Sequence, residues 1–294
     1  MQGFLNLNKP AGWTSHDCVG KLRRAFNTRQ IGHGGTLDPD ATGVLPIAVG
    51  RATRFLQFLS GGKAYRATFV LGQTSTTDDA SGEITARHPV PHLQREDVRA
   101  VLPQFIGTIA QIPPVYSAIR KQGKRLYELA RAGATAESLA LEPRRVEIYR
   151  IECLAWRAGE YAEIDLDIEC GTGTYIRAIA RDLGQTLGCG GLMSQLHRTQ
   201  SGPFHDRDSI PLDTLLESAN PDQFLSPIAF AFRDWQAISL DPDSARRWCC
   251  GQKLLHPDPD NPNPMKVMQG DRFLGLAQLQ DGLLKPLRVL ASQG

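Results

Sequence analysis

Asp38 sits in the run Gly32-His33-Gly34-Gly35-Thr36-Leu37-Asp38-Pro39-Asp40-Ala41-Thr42-Gly43-Val44-Leu45-Pro46, an acidic side chain among glycines and prolines. Neither a helix nor a strand continues far through such punctuation, so the segment is a shaped loop. A carboxylate presented on a loop can serve as a nucleophile or a general base. The alternative is an ordinary turn in which Asp38 hydrogen-bonds its own backbone. A lone Asp-Pro favours the turn, so the chemical reading needs support from the rest of the chain.

Other chemistries find little footing. His33 has no second histidine at ligand spacing, which argues against a metal role. The six cysteines, Cys18, Cys153, Cys170, Cys189, Cys249 and Cys250, form no C-x-x-C pair and suit neither a zinc site nor a disulfide framework. Reduced thiols in a cytoplasmic protein are expected, with no metal and no cofactor. The G-x-x-x-x-G-K-S/T and G-x-G-x-x-G nucleotide fingerprints are absent. A hydrophobic content of 41% with 22% charged residues is that of a soluble globular protein. No apolar run reaches the length of a membrane span, and the first residues do not read as a secretory signal. The net charge is only +2, but it is unevenly spread. Residues 1–150 hold 20 Lys and Arg against 12 Asp and Glu, and residues 151–294 hold 13 against 19. The basic half carries the Asp38 loop and suits a phosphate backbone, although a solvated surface explains the asymmetry about equally well.

The elements that must position Asp38 are legible in outline. Phe4 to Leu7 reads as a short strand. Thr14 and Ser15 are candidate caps for a helix burying Cys18, Val19, Leu22 and Phe26. Tyr65, Ala67, Phe69 and Leu71 alternate as in a strand. Thr74 to Glu83 is a polar loop, and Val98, Val101, Leu102 and Phe105 mark a second helix. Gln111 to Glu142 is a basic excursion carrying Arg120, Lys121, Lys124, Arg125 and Arg131. Ile164, Leu166, Ile168 and Cys170 alternate with acidic residues, and the Gly171–Thr174 turn opens a helix burying Ile176, Ile179, Ala180, Leu183 and Leu187. Strands interspersed with helices without βαβ repetition predict an α+β fold. Near Lys266–Met268, Phe273–Leu279 and Leu284–Leu290, three strand-like runs predict a small C-terminal β module.

The Asp38 run resembles the G-H-x-G-x-L-D-P-x-A-x-G-x-L-P segment of the tRNA pseudouridine-55 synthases of the TruB family, with Asp38 on the nucleophile's position. The resemblance continues through Leu7-Asn8-Lys9-Pro10-Ala11-Gly12, Gly50-Arg51-Ala52-Thr53-Arg54, Lys63-Ala64-Tyr65-Arg66, Gln111-Ile112-Pro113-Pro114-Val115-Tyr116-Ser117-Ala118, Gly123-Lys124-Arg125-Leu126-Tyr127-Glu128-Leu129 and Gly171-Thr172-Gly173-Thr174-Tyr175-Ile176-Arg177. It runs from about residue 4 to about residue 207. Arg120 departs from the expected Lys and keeps the charge.

The resemblance implies a pseudouridine synthase-like fold, a mixed, mainly antiparallel sheet flanked by helices. Residues 1–232 would form the catalytic domain, with an RNA-gripping insertion at about 111–142, and residues 233–294 a PUA-like RNA-binding module. The implied activity is isomerisation of uridine to pseudouridine at position 55 of the tRNA T-loop. The uridine would be flipped out, and its glycosidic bond broken and re-formed with Asp38 as nucleophile or base. Arg177 would pair with Asp38, and Tyr65 would stack on the uracil and relay a proton. Tyr175 and Leu196 would wall the pocket, and His33 would fill the opened T-loop. Lys9, Arg54, Lys121 and Lys124 are the phosphate-contact candidates. The expected partner is tRNA, with no membrane and no obligate protein partner. Two alternatives stand beside this: a non-catalytic RNA-binding protein or tRNA-folding chaperone on the same scaffold, and a hydrolase with an aspartate nucleophile. The hydrolase needs a second carboxylate, for which Asp40 is the only close candidate in sequence.

Overall fold

The alternation at Tyr65, Ala67, Phe69 and Leu71 builds the strand Lys63–Leu71, in the interior of a ten-stranded sheet. The computed structural model describes residues 1–117, 119–121, 123–135 and 138–290. Ala118 and the side chains of Arg125 and Arg131 lie outside that description. Lys63–Leu71 pairs antiparallel with Ala162–Cys170 on one side and Gly191–Ser201 on the other, placing Tyr65 opposite Ile168 and Ala67 opposite Leu196. Arg144–Arg157 and Gly107–Gln111 extend one edge; Thr42–Val49, Gly3–Lys9 and Ile210–Pro211 form the other. Two of the sheet's pairings are parallel, and the rest run antiparallel. The architecture is the α+β fold that the pattern predicts, with the mixed, mainly antiparallel sheet that the resemblance implies.

The two halves of the sheet meet at a narrow parallel contact, Thr42 beside His197 and Gly43 beside Arg198. Gly43 is required there. Its φ is +96°, and a Cβ would approach the Arg198 carbonyl oxygen to 2.3 Å. The Asp38 loop enters the sheet at this junction, so its exit is fixed by the halves it joins.

The helices Ser15–Ala25 and Ile176–Thr186 contribute to one core with the central strands. The first buries Cys18, Val19 and Leu22, and the second Ile176, Ile179, Ala180 and Leu183, as the spacing predicts. Thr14 caps the first helix in a reciprocal box with Asp17, each side chain bonding the other's backbone N–H at 3.0 Å. That arrangement leaves Ser15 free for the loop. The acidic alternation of Ala162–Cys170 faces outward, where Arg150 and Arg157 pair with Asp167, Glu169 and Asp165 at 2.7 Å. Among the described residues no helix is long and apolar enough to cross a membrane.

The three C-terminal runs become Asn261–Gln269, Arg272–Gln280 and Leu283–Val289, flanked by Ala237–Ser239 and Leu254–Leu255 in a five-stranded sheet. A helix at Pro242–Cys249, capped by Asp241, packs with it and is absent from the sequence expectation. Phe273 and Leu276 of this sheet join Phe4, Phe55, Phe204 and Phe232 in one apolar cluster. Phe273 stacks on Phe232 with ring centroids 6.1 Å apart.

Candidate active site

Three side chains hold the Asp38 loop by its backbone. The Ser15 hydroxyl accepts from the Leu37 N–H at 2.9 Å and donates to the Leu37 carbonyl at 3.2 Å. Lys9 donates to the carbonyls of Pro10, Trp13 and Pro39 at 2.8, 2.6 and 2.8 Å. Arg198, fully buried, donates to Val44 at 2.6 Å, to Gly35 at 3.1 Å and to Thr36 at 3.5 Å. Both flanks of Asp38 are thus anchored while its side chain is left to the cavity.

The role expected of Lys9 is corrected by this geometry. A fully buried ammonium whose three donors are occupied cannot reach a phosphate. Burial pulls its pKa down, and Cys18, Asp40 and Asp38 oppose that pull. Lys9 is a clamp on the loop.

Arg177 lies at the start of Ile176–Thr186 and is 6% exposed. Its Nε meets Asp38 Oδ2 at 3.0 Å and its Nη2 meets Oδ1 at 3.2 Å, a two-point grip on the carboxylate. The guanidinium is itself fixed by the carbonyls of Thr77 at 3.0 Å and Tyr116 at 2.9 Å, with Asp79 at 3.5 Å. Asp38 retains 36% of its side-chain surface, but that surface lines a cavity and is largely desolvated. Burial pushes the Asp38 carboxyl above the ordinary carboxylate range; Arg177 opposes the shift and Asp79 adds to it.

A cavity of about 230 Å³ brings together Asp38, Tyr65, Tyr175, Arg177, Leu196 and Lys63. It is smaller than the roughly 300–1,000 Å³ of pockets for drug-sized ligands, a scale that suits one nucleobase. Tyr65 is 6% exposed, and burial raises its pKa against the influence of the Arg198 charge. It is therefore a neutral phenol whose ring faces the cavity. Gln111 fixes Tyr175 by both backbone groups, accepting from its N–H at 2.8 Å and donating to its carbonyl at 3.0 Å.

The remaining candidates lie apart. His33, on the strand Ile31–His33, is outside the cavity lining; its Nδ1 is buried without a hydrogen-bond partner and burial lowers its pKa. Arg54 and Lys124 are exposed. Lys121 donates to the carbonyls of Leu139 and Ala140 within the insertion, which occupies two of the three N–H donors of the ammonium expected to meet phosphate.

Asp79 is the second carboxylate near Asp38, in place of the Asp40 that sequence proximity suggests. It is committed to its own loop: its Oδ1 accepts from the Thr77 hydroxyl at 2.6 Å and from the Ser81 N–H at 3.0 Å. It is not part of the cavity lining. Asp40 lines a separate cavity of about 490 Å³, beside His197 and Asp165. There His197 is held by Thr42 at 2.8 Å and Asp206 at 3.0 Å, and Asp165 by Arg157 and Thr68. Both His197 and Asp165 are thus already paired. Among the described residues no group of three or more His, Cys, Asp and Glu could hold a metal ion.

Ser15, Arg198, Gln111 and Asp79 escaped the sequence reading. Ser15 was legible only as a cap, and the others act through contacts 64 to 163 residues away in the chain, or through Arg177.

Three family models match in succession. TruB family pseudouridylate synthase (N terminal domain) spans residues 23–176, tRNA pseudouridylate synthase B C-terminal domain 177–229, and Pseudouridine synthase II TruB, C-terminal 237–290. The chain belongs to the TruB family of pseudouridine synthases. It is similar to the tRNA pseudouridine synthase B of Acaryochloris marina, 50% identical over 295 residues and covering 100% of both chains. That of Microcystis aeruginosa is 54% identical over 255 residues, covering 86% of this chain and 85% of its own. Among solved structures, a Cbf5-Nop10-Gar1 complex matches with a TM-score of 0.75 at 26% identity, covering 98% of this chain and 84% of that one.

Proposed function

We propose that the chain isomerises the uridine at position 55 of the tRNA T-loop to pseudouridine. The two-point grip of Arg177 on Asp38, at the wall of a base-sized cavity shared with Tyr65, is the observation that carries this. The names of the related proteins support tRNA as the substrate.

The reaction breaks C1′–N1, turns the uracil and joins C5 to C1′. The C5 proton is lost and N1 gains one, so atoms and electrons balance without an oxidant. A uridine stacked in folded RNA must first be extruded. With the base between Tyr65 and Leu196, the Asp38 carboxylate faces the sugar. It can capture C1′ or remove the C2′ proton, and both steps require the ionised form. Developing positive charge at the anomeric carbon is stabilised as in glycoside cleavage. Arg177 orients the carboxylate, and the enclosed cavity keeps the detached base from diffusing away. Asp79, held by Thr77 and Ser81, is not placed as the second acid a hydrolase would use.

The test is single-turnover conversion of an unmodified tRNA transcript with enzyme in excess, read by nucleoside analysis at the T-loop position. Wild type should convert it fully. Asp38→Asn should lose more than about 10³-fold in rate, the scale of removing a positioned acid–base or nucleophilic group. Its tRNA affinity should stay close to wild type, and Asp40→Asn should remain active. Conversion by Asp38→Asn near the wild-type rate, in a protein that melts cooperatively, would overturn the assignment.

A further inference from the structure

Lys63 brings an ammonium to the Asp38 cavity. Among the described residues its ammonium makes no ion pair and no hydrogen bond. Cys170, its partner across the strand pair, is a thiol pushed up to about 11 by burial and supplies no anion at neutral pH. Gly35, at φ +139°, lies beside the ammonium: a Cβ there would stand at contact distance, 3.4 Å from Lys63 Nζ and 3.7 Å from Arg198 Nη1. Arg198 is spent on carbonyls of the loop, so Lys63 is the uncommitted charge of the two. Burial, with Arg198 adding to it, lowers the Lys63 pKa. A partly desolvated ammonium without a partner is costly, and an arriving anion removes that cost.

Lys63 also lines a second, smaller cavity of about 60 Å³. Ser60, Thr172 and Ser201 bring hydroxyl-bearing residues to it, beside an apolar side formed by Pro46, Leu59, Pro203 and Phe204. A base does not fit this volume, whereas a tetrahedral anion does. Hydroxyls and one lysine form a donor set suited to phosphate oxygens. Since Lys63 is common to both cavities, an anion bound here adjoins a base bound beside Asp38.

Resting on the proposed RNA substrate, we infer that Lys63 and this small cavity form a phosphate site, which takes a backbone phosphate flanking the extruded uridine. The site would fix the sugar–phosphate against the Asp38 loop while the base lies in the larger cavity. Lys63 is then a substrate-positioning residue, set apart from the exposed charges of the basic insertion by its place at the reacting nucleotide.

The experiment pairs protein and RNA changes. Lys63→Gln and Lys63→Arg are measured beside wild type for tRNA affinity, its salt dependence and single-turnover rate at saturating enzyme. The RNAs carry a neutral methylphosphonate at each phosphate around the target in turn. Lys63→Gln should bind about 10- to 100-fold more weakly, the scale of one hydrogen bond to a charged group. Its log-affinity against log-salt slope should flatten by about 0.7, one contact's worth for a single strand. Lys63→Arg should keep most of the affinity. At one phosphate adjoining the target, the methylphosphonate should weaken wild type and leave Lys63→Gln unaffected. Equal affinity and slope for Lys63→Gln and wild type would overturn the site. So would a loss confined to the saturated rate, which would place Lys63 on the reacting base. If Lys63→Gln fails to fold, the methylphosphonate scan on wild type still decides: equal tolerance at every flanking phosphate overturns it. Failure of wild type to form pseudouridine would instead sink the activity itself.

Discussion

A carboxylate acting as nucleophile or base has to be ionised, and Asp38 occupies a place where burial opposes ionisation. Its pKa lies above the ordinary value of about 3.9, with Arg177 as the main restoring influence. The single-turnover rate should therefore fall as pH drops through a value above that of a free aspartate. Replacing Arg177 by Lys removes the two-point grip and leaves a mobile point charge. The acid limb should move to higher pH, and the plateau rate should fall about 10- to 100-fold with the loss of a charged hydrogen bond. A pH–rate profile of Arg177→Lys superimposable on wild type would show that Arg177 does not govern the carboxylate. Motifs single out Asp38, Tyr65 and Arg177, because each lies in a run with a distinctive neighbourhood, and the structure brings all three to one cavity. Lys9 was misread for a physical reason. A lysine's identity says nothing of whether three carbonyls will close around it, and that closure decides between a solvated cation and a buried clamp.

Elements set where the loop can stand. The helix Ser15–Ala25 delivers Ser15 to Leu37, and the strand Gly191–Ser201 delivers Arg198 to Gly35 and Thr36. Ser15→Ala removes an oxygen that both accepts from and donates to Leu37 and leaves a buried N–H unpaired, costing about 1–3 kcal/mol. The loss falls on the residue adjoining Asp38, so the saturated rate should drop while tRNA affinity holds. Ser15→Thr, which keeps the hydroxyl, should recover part of the rate. A variant that merely melts earlier, with an unchanged rate at low temperature, would make Ser15 a stability residue only. Helices and strands with wide apolar faces were legible from spacing: Cys18, Val19 and Leu22, or Ile164, Leu166 and Ile168, repeat at a clear period. The helix Pro242–Cys249 was not, because it buries only Ala245 and Trp248. Its signals were local ones, an Asp cap followed by Pro in the first turn.

At the scale of the whole molecule, the last residues read in sequence as a small β module, and its sheet shares an apolar cluster with the rest of the chain. Phe273 stacks on Phe232 and lies 5.8 Å from the Phe55 ring, inside a cluster that also holds Phe4 of the first strand. A composition shift near residue 232 marks where the chain changes character; it carries no information on whether two sheets share side chains. Cutting the chain before this sheet would uncover Phe55 and Phe232 to water, so the deletion would damage folding as well as any RNA contact. A point change separates the two effects. Phe273→Ala should destabilise the fold by about 3–5 kcal/mol, the usual cost of emptying a buried phenyl site. The chain should still melt in one transition with a lower midpoint, because the cluster couples the sheets. Single-turnover chemistry at low temperature and saturating enzyme should remain near wild type, since Phe273 is absent from the Asp38 cavity lining. Two separate transitions, with only the later residues unfolding early, would show independent domains in contact. A loss of saturated rate in the folded variant would show that the C-terminal sheet positions the cavity through the first strand, Gly3–Lys9, which carries both Phe4 and Lys9.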